Sequence, residues 1–371
     1  MFLFVGNKNL FGEGGISIFR YLQENGSLEY LKTEHTDISA GFLCIDKEHA
    51  RLFCVNERLS CEGIPGGQVL CYQINTQTGS LTLLSKANTH TVLPCYLHYI
   101  ASDNKILVCN HAKRDWTLKL GKDNLGAVCS SRIFDDAAIE VFDVLSDGTI
   151  IGPTAYWIAP RIYEANDNPH LHSITFCDEK HLAFVCDTGS DIIYTISYDN
   201  GNLLPLGRVK AGTGEGAPRY GVLHPRIPVA YFNSEKQNAL FVYRISDCSL
   251  IPLQESKVID GDISKLEKSP IGQSAIAINR AGSTLYSLVR STRSVSVFSV
   301  SQEGLIRLLQ SYPVESDSPR ALAISPDEKY LFVSCSTGKT IIRMRIDNDG
   351  YLSNRVLVND TLSSPGCMMF F

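Results

Sequence analysis

The stretch ALAISPDEKYLFVSC at residues 321–335 contains two short runs of alternating apolar residues on either side of a polar turn. Alternation with a period of two is typical of half-buried β-strands, and Ser, Pro and Asp are typical of tight turns. The same design of strand, polar turn and apolar strand occurs in six complete copies, at 42–57, 96–111, 172–187, 220–235, 275–290 and 321–335. The sequence therefore predicts an all-β protein built from repeats.

A second kind of hairpin alternates with the first and occurs seven times. Its copies lie at 15–31, 67–84, 137–150, 191–206, 238–253, 293–309 and 339–352. Most of them carry Asp, Asn or Glu before Gly at the turn, which suits a tight reversal that needs positive φ. Together the two hairpins form a four-stranded unit, and four-stranded repeats of roughly 40–50 residues indicate the blades of a β-propeller.

The seventh copy of the first hairpin is divided between the two ends of the chain. MFLFVGN at 1–7 matches its second strand and PGCMMFF at 365–371 matches its first. Pairing these strands in one blade closes a ring and removes exposed sheet edges. We therefore predict one seven-bladed β-propeller domain over residues 1–371, with four antiparallel strands per blade. An open all-β array or two sandwiches would explain neither the seven copies nor the divided one.

The third blade carries surplus chain. An insertion at about 112–137 lies within it, and a long connection at 153–169 follows it. Long loops in compact domains are usually functional or disordered. The aromatic residues of these segments favour ordered chain lying over the ring; they are Trp116, Tyr156, Trp157 and Tyr163.

Composition excludes several classes of function. A formal charge of −5 and a pI near 6.0 argue against nucleic-acid or anionic-membrane surfaces, which favour basic patches. No apolar run approaches the ~20 residues needed to cross a bilayer, and the first residues lack a signal-peptide pattern. The twelve cysteines are scattered without zinc-type spacing, several within apolar strands. These features predict a cytoplasmic protein with buried free thiols, no structural metal and no cofactor.

Unusual polar residues fall at equivalent places in the repeats. In a blade, the start of the innermost strand and the end of the second strand lie on the same face of the disc. His170, His172 and Arg219 start innermost strands, whereas Glu57, Asn110, His111, Glu235 and Arg290 end second strands. We expect these side chains to meet at one mouth of the central channel, where Arg binds carboxylate or phosphate and His titrates near neutral pH. The alternative is a structural network in which arginines neutralise Glu57 and Glu235.

Several motifs, in this order and at blade spacing, resemble a known family. They are CVNE, LPCY, NPHLHSITF, GEGAPRYGVLHP and FNSE. The chain is similar to the lactonase family of seven-bladed propellers, which includes the propeller-type 6-phosphogluconolactonases and the fungal carboxy-cis,cis-muconate cyclases. The resemblance implies hydrolysis of a small anionic or sugar-acid lactone, such as 6-phosphogluconolactone.

The resemblance also implies roles for individual residues. His172 (or His170), Arg219, Glu235 and Arg290 match proposed active-site groups of the family. In the implied mechanism, His172, polarised by Glu235, takes a proton from water, while the two arginines stabilise the oxyanion or hold the substrate's acidic group. Apart from the resemblance, we expect further residues at the channel mouth to bind the substrate, namely Glu57, Asn110, His111, His170 and Tyr220.

The chain departs from the family pattern at Tyr96 and Tyr220, where the family has His. Tyrosine donates a hydrogen bond but cannot act as a base at neutral pH. Two other functions therefore stay open. One is a lactone-forming cyclase acting on an unsaturated dicarboxylate; the other is a non-catalytic scaffold or ligand sensor, whose channel the segment 112–137 could plug.

Overall fold

The computed structural model describes residues 1–162, 168–260 and 272–371. The chain begins with β1 (Phe2–Asn7), β2 (Gly15–Leu22) and β3 (Ser27–Glu34), which belong to blade 1. Blade 2 follows with β4 (Ala40–Asp46), β5 (Arg51–Asn56), the small hairpin β6 (Ser60–Cys61) and β7 (Ile64–Pro65), β8 (Gln68–Ile74) and β9 (Leu81–Asn88). Blade 3 contains β10 (Pro94–Ile100), β11 (Lys105–Asn110), the inserted hairpin β12 (Trp116–Lys122) and β13 (Val128–Phe134), β14 (Ala138–Val144) and β15 (Ile150–Ile158).

The remaining blades have simpler connections. Blade 4 consists of β16 (Leu171–Cys177), a 3₁₀ turn (Asp178–Lys180), β17 (Leu182–Asp187), β18 (Ile192–Asp199) and β19 (Asn202–Lys210). Blade 5 consists of β20 (Pro218–Leu223), β21 (Val229–Ser234), β22 (Leu240–Ile245) and β23 (Leu250–Ser256). Blade 6 consists of β24 (Gln273–Ile278), β25 (Thr284–Val289), β26 (Ser294–Val300) and β27 (Ile306–Pro313). Blade 7 consists of β28 (Pro319–Ile324), β29 (Tyr330–Cys335), β30 (Thr340–Ile346) and β31 (Leu352–Asn359), and the last strand is β32 (Pro365–Phe370).

The ring is closed by the two ends of the chain. β1 pairs antiparallel with β2 on one side and with β32 on the other, so β32 is the innermost strand of blade 1. Around the channel, each of the innermost strands β4, β10, β16, β20, β24, β28 and β32 contacts the next. The predicted seven-bladed propeller, including the blade shared by the termini, is confirmed.

The core lies between the blades. Seven clusters of buried apolar side chains each join two neighbouring blades, so every blade has an apolar face on both sides. Burial on both faces explains the nearly continuous apolar runs of the second strands, such as LFCV in β5 and LAFVC in β17. All twelve cysteines are free, and only Cys129 and Cys248 are exposed.

The inserted hairpin β12–β13 projects from blade 3. Its strands pair only with each other, and Leu120 is 77% exposed. The expectation that the aromatic insertion packs on the ring is therefore not met by the hairpin, because its side chains join none of the apolar clusters formed by the described residues. In the connection that follows, Tyr156 is 68% exposed, whereas Trp157 packs edge-on against Tyr194 with ring centroids 5.0 Å apart. Tyr163 lies outside the described residues. Among the residues that are described, no helix is long and apolar enough to span a membrane.

Candidate functional site

The innermost strand of every blade contains a register shift at the same place. Directly after the first paired residue of each innermost strand, there is a residue that has no partner on the second strand. A β-bulge re-aims the side chain at such a position. The seven residues at this point, which we call the bulge ring, are Gly41, Cys95, His172, Arg219, Ser274, Arg320 and Gly366.

A second set of residues occupies equivalent positions directly after the second strand of each blade. In all seven blades the backbone N–H of this residue donates to a carbonyl that precedes the innermost strand, at 2.8–3.1 Å. The residues, which we call the strand-end ring, are Lys8, Glu57, His111, Thr188, Glu235, Arg290 and Ser336. The shared hydrogen bond sets them at the same level as the bulge ring. The starts of innermost strands and the ends of second strands therefore meet on one face of the disc.

A cavity of about 240 Å³ opens at this mouth of the channel. We call it the site cavity. Its polar and ionisable wall residues are Lys8, Glu57, Cys95, His111, Arg114, His172, Tyr220 and Arg320. Six of these come from the two rings just described, and Gly41 of the bulge ring, which also lines the cavity, has no side chain to occupy the space.

The walls of the site cavity carry more positive than negative charge. Lys8 forms an ion pair with Glu57. Burial lowers the pKa of Lys8, although the Glu57 carboxylate opposes this. Arg320 makes no hydrogen bond and no ion pair with any described residue, and Arg114 adds a further cation. An anionic ligand would complement this surface, because an arginine guanidinium binds carboxylate or phosphate with two parallel hydrogen bonds.

The two histidines of the PHLHS segment have different surroundings. His172 lines the site cavity, and among the described residues its Nδ1 has no hydrogen-bond partner. Burial lowers its pKa well below the usual value, and the charge of Arg219 lowers it further, so the imidazole is neutral at pH 7. His170 is fully buried, stacks on the ring of His111 at 4.8 Å, and its Nδ1 lies 3.1 Å from the His111 carbonyl oxygen. His172 is thus the histidine that faces the site.

His111 contacts the rings of both histidines and also lines the site cavity. Its ring lies 5.8 Å from that of His172, nearly perpendicular to it. Burial and the neighbouring His170 lower the pKa of His111 to about 3. The pair His111 and His172 therefore provides two neutral imidazoles on one wall.

Arg219, Glu235 and Arg290 form a closed network beside the site cavity. Arg290 is ion-paired with Glu235, and the Nε atom of Arg219 lies 3.9 Å from the same carboxylate. Arg219 is 2% exposed and donates to the carbonyl oxygen of Ser274 at 3.0 Å. Burial raises the pKa of Glu235, but the two guanidinium groups outweigh it and lower the pKa to about 2. In the described chain, no hydrogen bond joins Glu235 to His172, so the predicted polarisation of His172 by Glu235 has no direct contact to support it.

The remaining predicted residues differ in position. Asn110 is fully buried, and its Nδ2 donates to the carbonyl oxygen of Ala138 at 3.4 Å, so it joins strands within blade 3.

Tyr220 lines the site cavity, where the guanidinium of Arg219 lies 4.6 Å from the centre of its ring. Phe42, Tyr96 and Tyr220 pack together on one side of the channel, with centroids 4.1 Å apart for the first two and 5.8 Å for the last two. This aromatic layer forms the floor beneath the site.

Sequence reasoning missed three cations of the site cavity, namely Lys8, Arg114 and Arg320. Two of them satisfy the rule used for the others. Lys8 directly follows the second strand of the divided blade, and Arg320 follows the proline that begins β28, as Arg219 follows Pro218. Arg114 had no such signal, because it stands in the insertion. Within the described ranges, no group of three or more His, Cys, Asp or Glu side chains is arranged to hold a metal ion.

Comparisons with known proteins agree with this architecture. A model of the family described as "Lactonase, 7-bladed beta-propeller" matches residues 2–370. The 6-phosphogluconolactonase of Bacillus subtilis (strain 168) is 24% identical over 368 residues, covering 98% of this chain and 95% of the relative. The structure of the periplasmic gluconolactonase of Pseudomonas aeruginosa superimposes with a TM-score of 0.85 at 20% identity, covering 99% of this chain and 98% of the other. A crystal structure from Bacteroides fragilis gives a TM-score of 0.80 at 20% identity, over 100% and 97% of the two chains.

Proposed function

Because the chain belongs to the seven-bladed β-propeller lactonase family, we propose that it hydrolyses a sugar lactone bearing an acidic group, such as 6-phosphogluconolactone. The observation that supports this most strongly is that His172 and Arg320 both line one open cavity. The first is a neutral imidazole that can accept a proton, and the second is a cation that has no hydrogen bond or ion pair to any described residue. The relatives named gluconolactonase and 6-phosphogluconolactonase support the same class of substrate.

In the proposed reaction, a water oxygen attacks the lactone carbonyl carbon. His172 takes a proton from this water as the tetrahedral oxyanion forms. The bond between the carbonyl carbon and the ring oxygen then breaks, and the ring oxygen receives the proton from His172. The product is the open-chain hydroxy acid, and the imidazole returns to its neutral state. A positioned base contributes about 10²–10⁴ in rate.

The low pKa of His172 limits its strength as a base, because catalysis is most efficient when the pKa of the base lies near the working pH. Part of the shift is caused by the charges of Arg219, Arg320 and Lys8. An anionic substrate would neutralise part of this field and raise the pKa of His172 in the complex. Binding of the substrate's acidic group therefore prepares the base for the reaction.

The acidic group of the substrate is held by the cations of the site cavity. Among the described residues, no carboxylate forms an ion pair with Arg320, whereas Lys8 is already paired with Glu57. A hydrogen bond to a charged group contributes about 1.5–3 kcal/mol. We therefore assign the main anion contact to Arg320, with Arg114 and Lys8 as neighbours.

Arg219, Glu235 and Arg290 take positioning roles in this proposal. They contact one another and backbone carbonyl oxygens, and they do not line the site cavity. Arg219 lies against the face of Tyr220 and so supports the floor of the site. This differs from the catalytic roles that the family resemblance implies for the three residues.

A pH-stat assay tests the proposal. Freshly generated 6-phosphogluconolactone and gluconolactone are supplied to the wild type and to His172→Gln, and acid release is compared with spontaneous opening. We expect acceleration by the wild type, faster turnover of the phosphorylated lactone, and a loss of about 10²-fold or more in the variant. No acceleration with either lactone would contradict the proposal and favour the non-catalytic alternative.

A further inference from the structure

The central channel continues beyond the aromatic floor of the site. A second cavity, of about 540 Å³, lies on the other side of this floor and opens at the opposite face of the disc. We call it the channel cavity. Tyr220 and Arg320 border both cavities, so the two are neighbours within one channel.

The channel cavity exists because side chains around one level of the channel differ greatly in size. One position beyond the bulge ring, the residues are Phe42, Tyr96, Ser173, Tyr220, Ala275, Ala321 and Cys367. The three aromatic rings pack against one another on one side of the channel. The small residues of blades 6, 7 and 1 leave the opposite side empty.

The walls of the channel cavity are largely apolar. Aliphatic and aromatic residues of β20, β24, β28 and β32 form them, among them Val222, Ile276, Ala323, Met369 and Phe370. A volume of this size lies in the range of cavities that take drug-sized ligands, about 300–1,000 Å³, and such sites typically combine apolar walls with few polar groups. The shape and surface therefore suit an organic molecule with an apolar body.

The charged groups in the wall of the channel cavity indicate which charge a bound molecule would carry. Among the described residues, this wall contains Lys47, Arg280 and Arg320 and one carboxylate, that of Glu328. Glu328 already accepts a hydrogen bond from the backbone N–H of Arg280 at 2.6 Å. Arg320 stands at the inner end without a hydrogen bond or ion pair to any described residue. A partly buried guanidinium is stabilised by an anion, since its desolvation is otherwise uncompensated.

We propose that the channel cavity is a second binding site, which takes an apolar organic anion such as a medium-chain or aromatic carboxylate. The acidic group pairs with Arg320 from the side opposite to the site cavity. The apolar body lies along the small residues of blades 6, 7 and 1. This inference concerns binding alone and does not depend on lactone hydrolysis.

Displacement of a fluorescent probe tests the inference. The probe is 8-anilinonaphthalene-1-sulfonate, an aromatic anion, and the competitors are decanoate and, as an uncharged control of similar size, decanol. We expect one probe molecule to bind saturably per chain and decanoate to displace it at concentrations about tenfold lower than decanol, because the contact to Arg320 requires a charge. Absence of saturable binding, or equal displacement by decanol, would overturn the proposal.

Two pairs of variants locate the probe. Ala323→Trp fills the channel cavity, and Ala101→Trp, in the exposed turn between β10 and β11, is its control. Arg320→Gln removes the anion contact, and Arg345→Gln, on the exposed part of β30, is its control. We expect each channel variant to weaken decanoate binding about tenfold or more, while the controls bind like the wild type. If Ala323→Trp does not fold, Ala321→Leu decides, because Ala321 lines the channel cavity and not the site cavity; unchanged binding in that variant would contradict the inference.

Discussion

Arg219 and Arg320 occupy equivalent positions in blades 5 and 7, each directly after the proline that begins the innermost strand. Their surroundings nevertheless differ. Arg219 is buried, donates to the carbonyl of Ser274 and lies near the carboxylate of Glu235. Arg320 lacks such partners in the described chain and borders both cavities. The same position in the repeat thus holds a buried, hydrogen-bonded arginine in blade 5. In blade 7 it holds an arginine that lines two cavities and has no hydrogen bond or ion pair to a described residue.

This difference predicts unequal effects of the two arginines on stability. Arg219→Gln removes the charge that faces Glu235 and leaves the buried polar groups around it incompletely paired, so we expect a loss of about 1–3 kcal/mol in the free energy of unfolding. Arg320→Gln removes no hydrogen bond or ion pair to a described residue and should change the free energy of unfolding by less than about 0.5 kcal/mol. Urea unfolding of both variants at pH 7 measures the two values. Equal losses would show that Arg320 has a structural partner after all.

Variants of the two histidines of the PHLHS segment should affect different properties, one the catalytic rate and the other the stability of the fold. His172→Asn removes the proposed base, and we expect kcat to fall by about 10²–10⁴ while the fold is retained. His170→Asn removes a buried ring that stacks on His111, and we expect it mainly to lower the melting temperature. Activity measured per folded molecule, with circular dichroism as the check on folding, distinguishes them. The assignment of His172 fails if its variant retains wild-type kcat.

Stability should fall as the pH is lowered from neutrality. The pKa of His111 is lowered to about 3 in the folded chain, and that of His172 is also lowered. The unfolded chain therefore binds more protons between pH 6.5 and about 3, and stability is greatest above this window and decreases through it. We expect His111→Asn to reduce the slope of unfolding free energy against pH by up to about 1 kcal/mol per pH unit, measured between pH 6 and 4. Parallel slopes for wild type and variant would contradict burial of a neutral His111.

Ring closure by the termini makes a further prediction. Deletion of residues 1–5 removes most of β1, whose Leu3, Phe4 and Val5 are fully buried and whose ladders join β2 to β32. We expect a marked fall in the melting temperature, because two strand edges lose their partner. Removal of Met1 alone, which is 51% exposed, is the control and should have little effect. An unchanged melting temperature in the longer deletion would refute closure by this blade.

The fold could be predicted from sequence because each blade repeats the same local pattern. Strand alternation and turn residues are local signals, and the divided repeat at the termini specifies a ring. The insertion was harder to interpret, because a hairpin pattern does not reveal what covers it. Trp116 indicates order but does not determine whether β12–β13 packs on the ring or projects from it.

The site could be predicted only in part. The strand positions of His172, Glu57 and His111 follow from topology, so their convergence is predictable. Whether a side chain reaches the cavity depends on the bulge in the innermost strand and on neighbours from other blades, which have no local signal. For this reason Arg219 could not be distinguished from Arg320, and the network of arginines with Glu235 was only one of two interpretations that the sequence left open.

The most direct test of the proposed function is the kcat/KM ratio of 6-phosphogluconolactone to gluconolactone in the wild type, in Arg320→Gln and in the surface control Arg345→Gln. The two lactones differ only in the phosphate, so the ratio isolates the contact to the anion. We predict that the wild type and Arg345→Gln prefer the phosphorylated lactone, and that Arg320→Gln reduces this preference by about 10–100-fold. Hydrolysis with an unchanged ratio in Arg320→Gln would contradict the anion site assigned to this arginine, and no hydrolysis by the wild type would contradict the lactonase function itself.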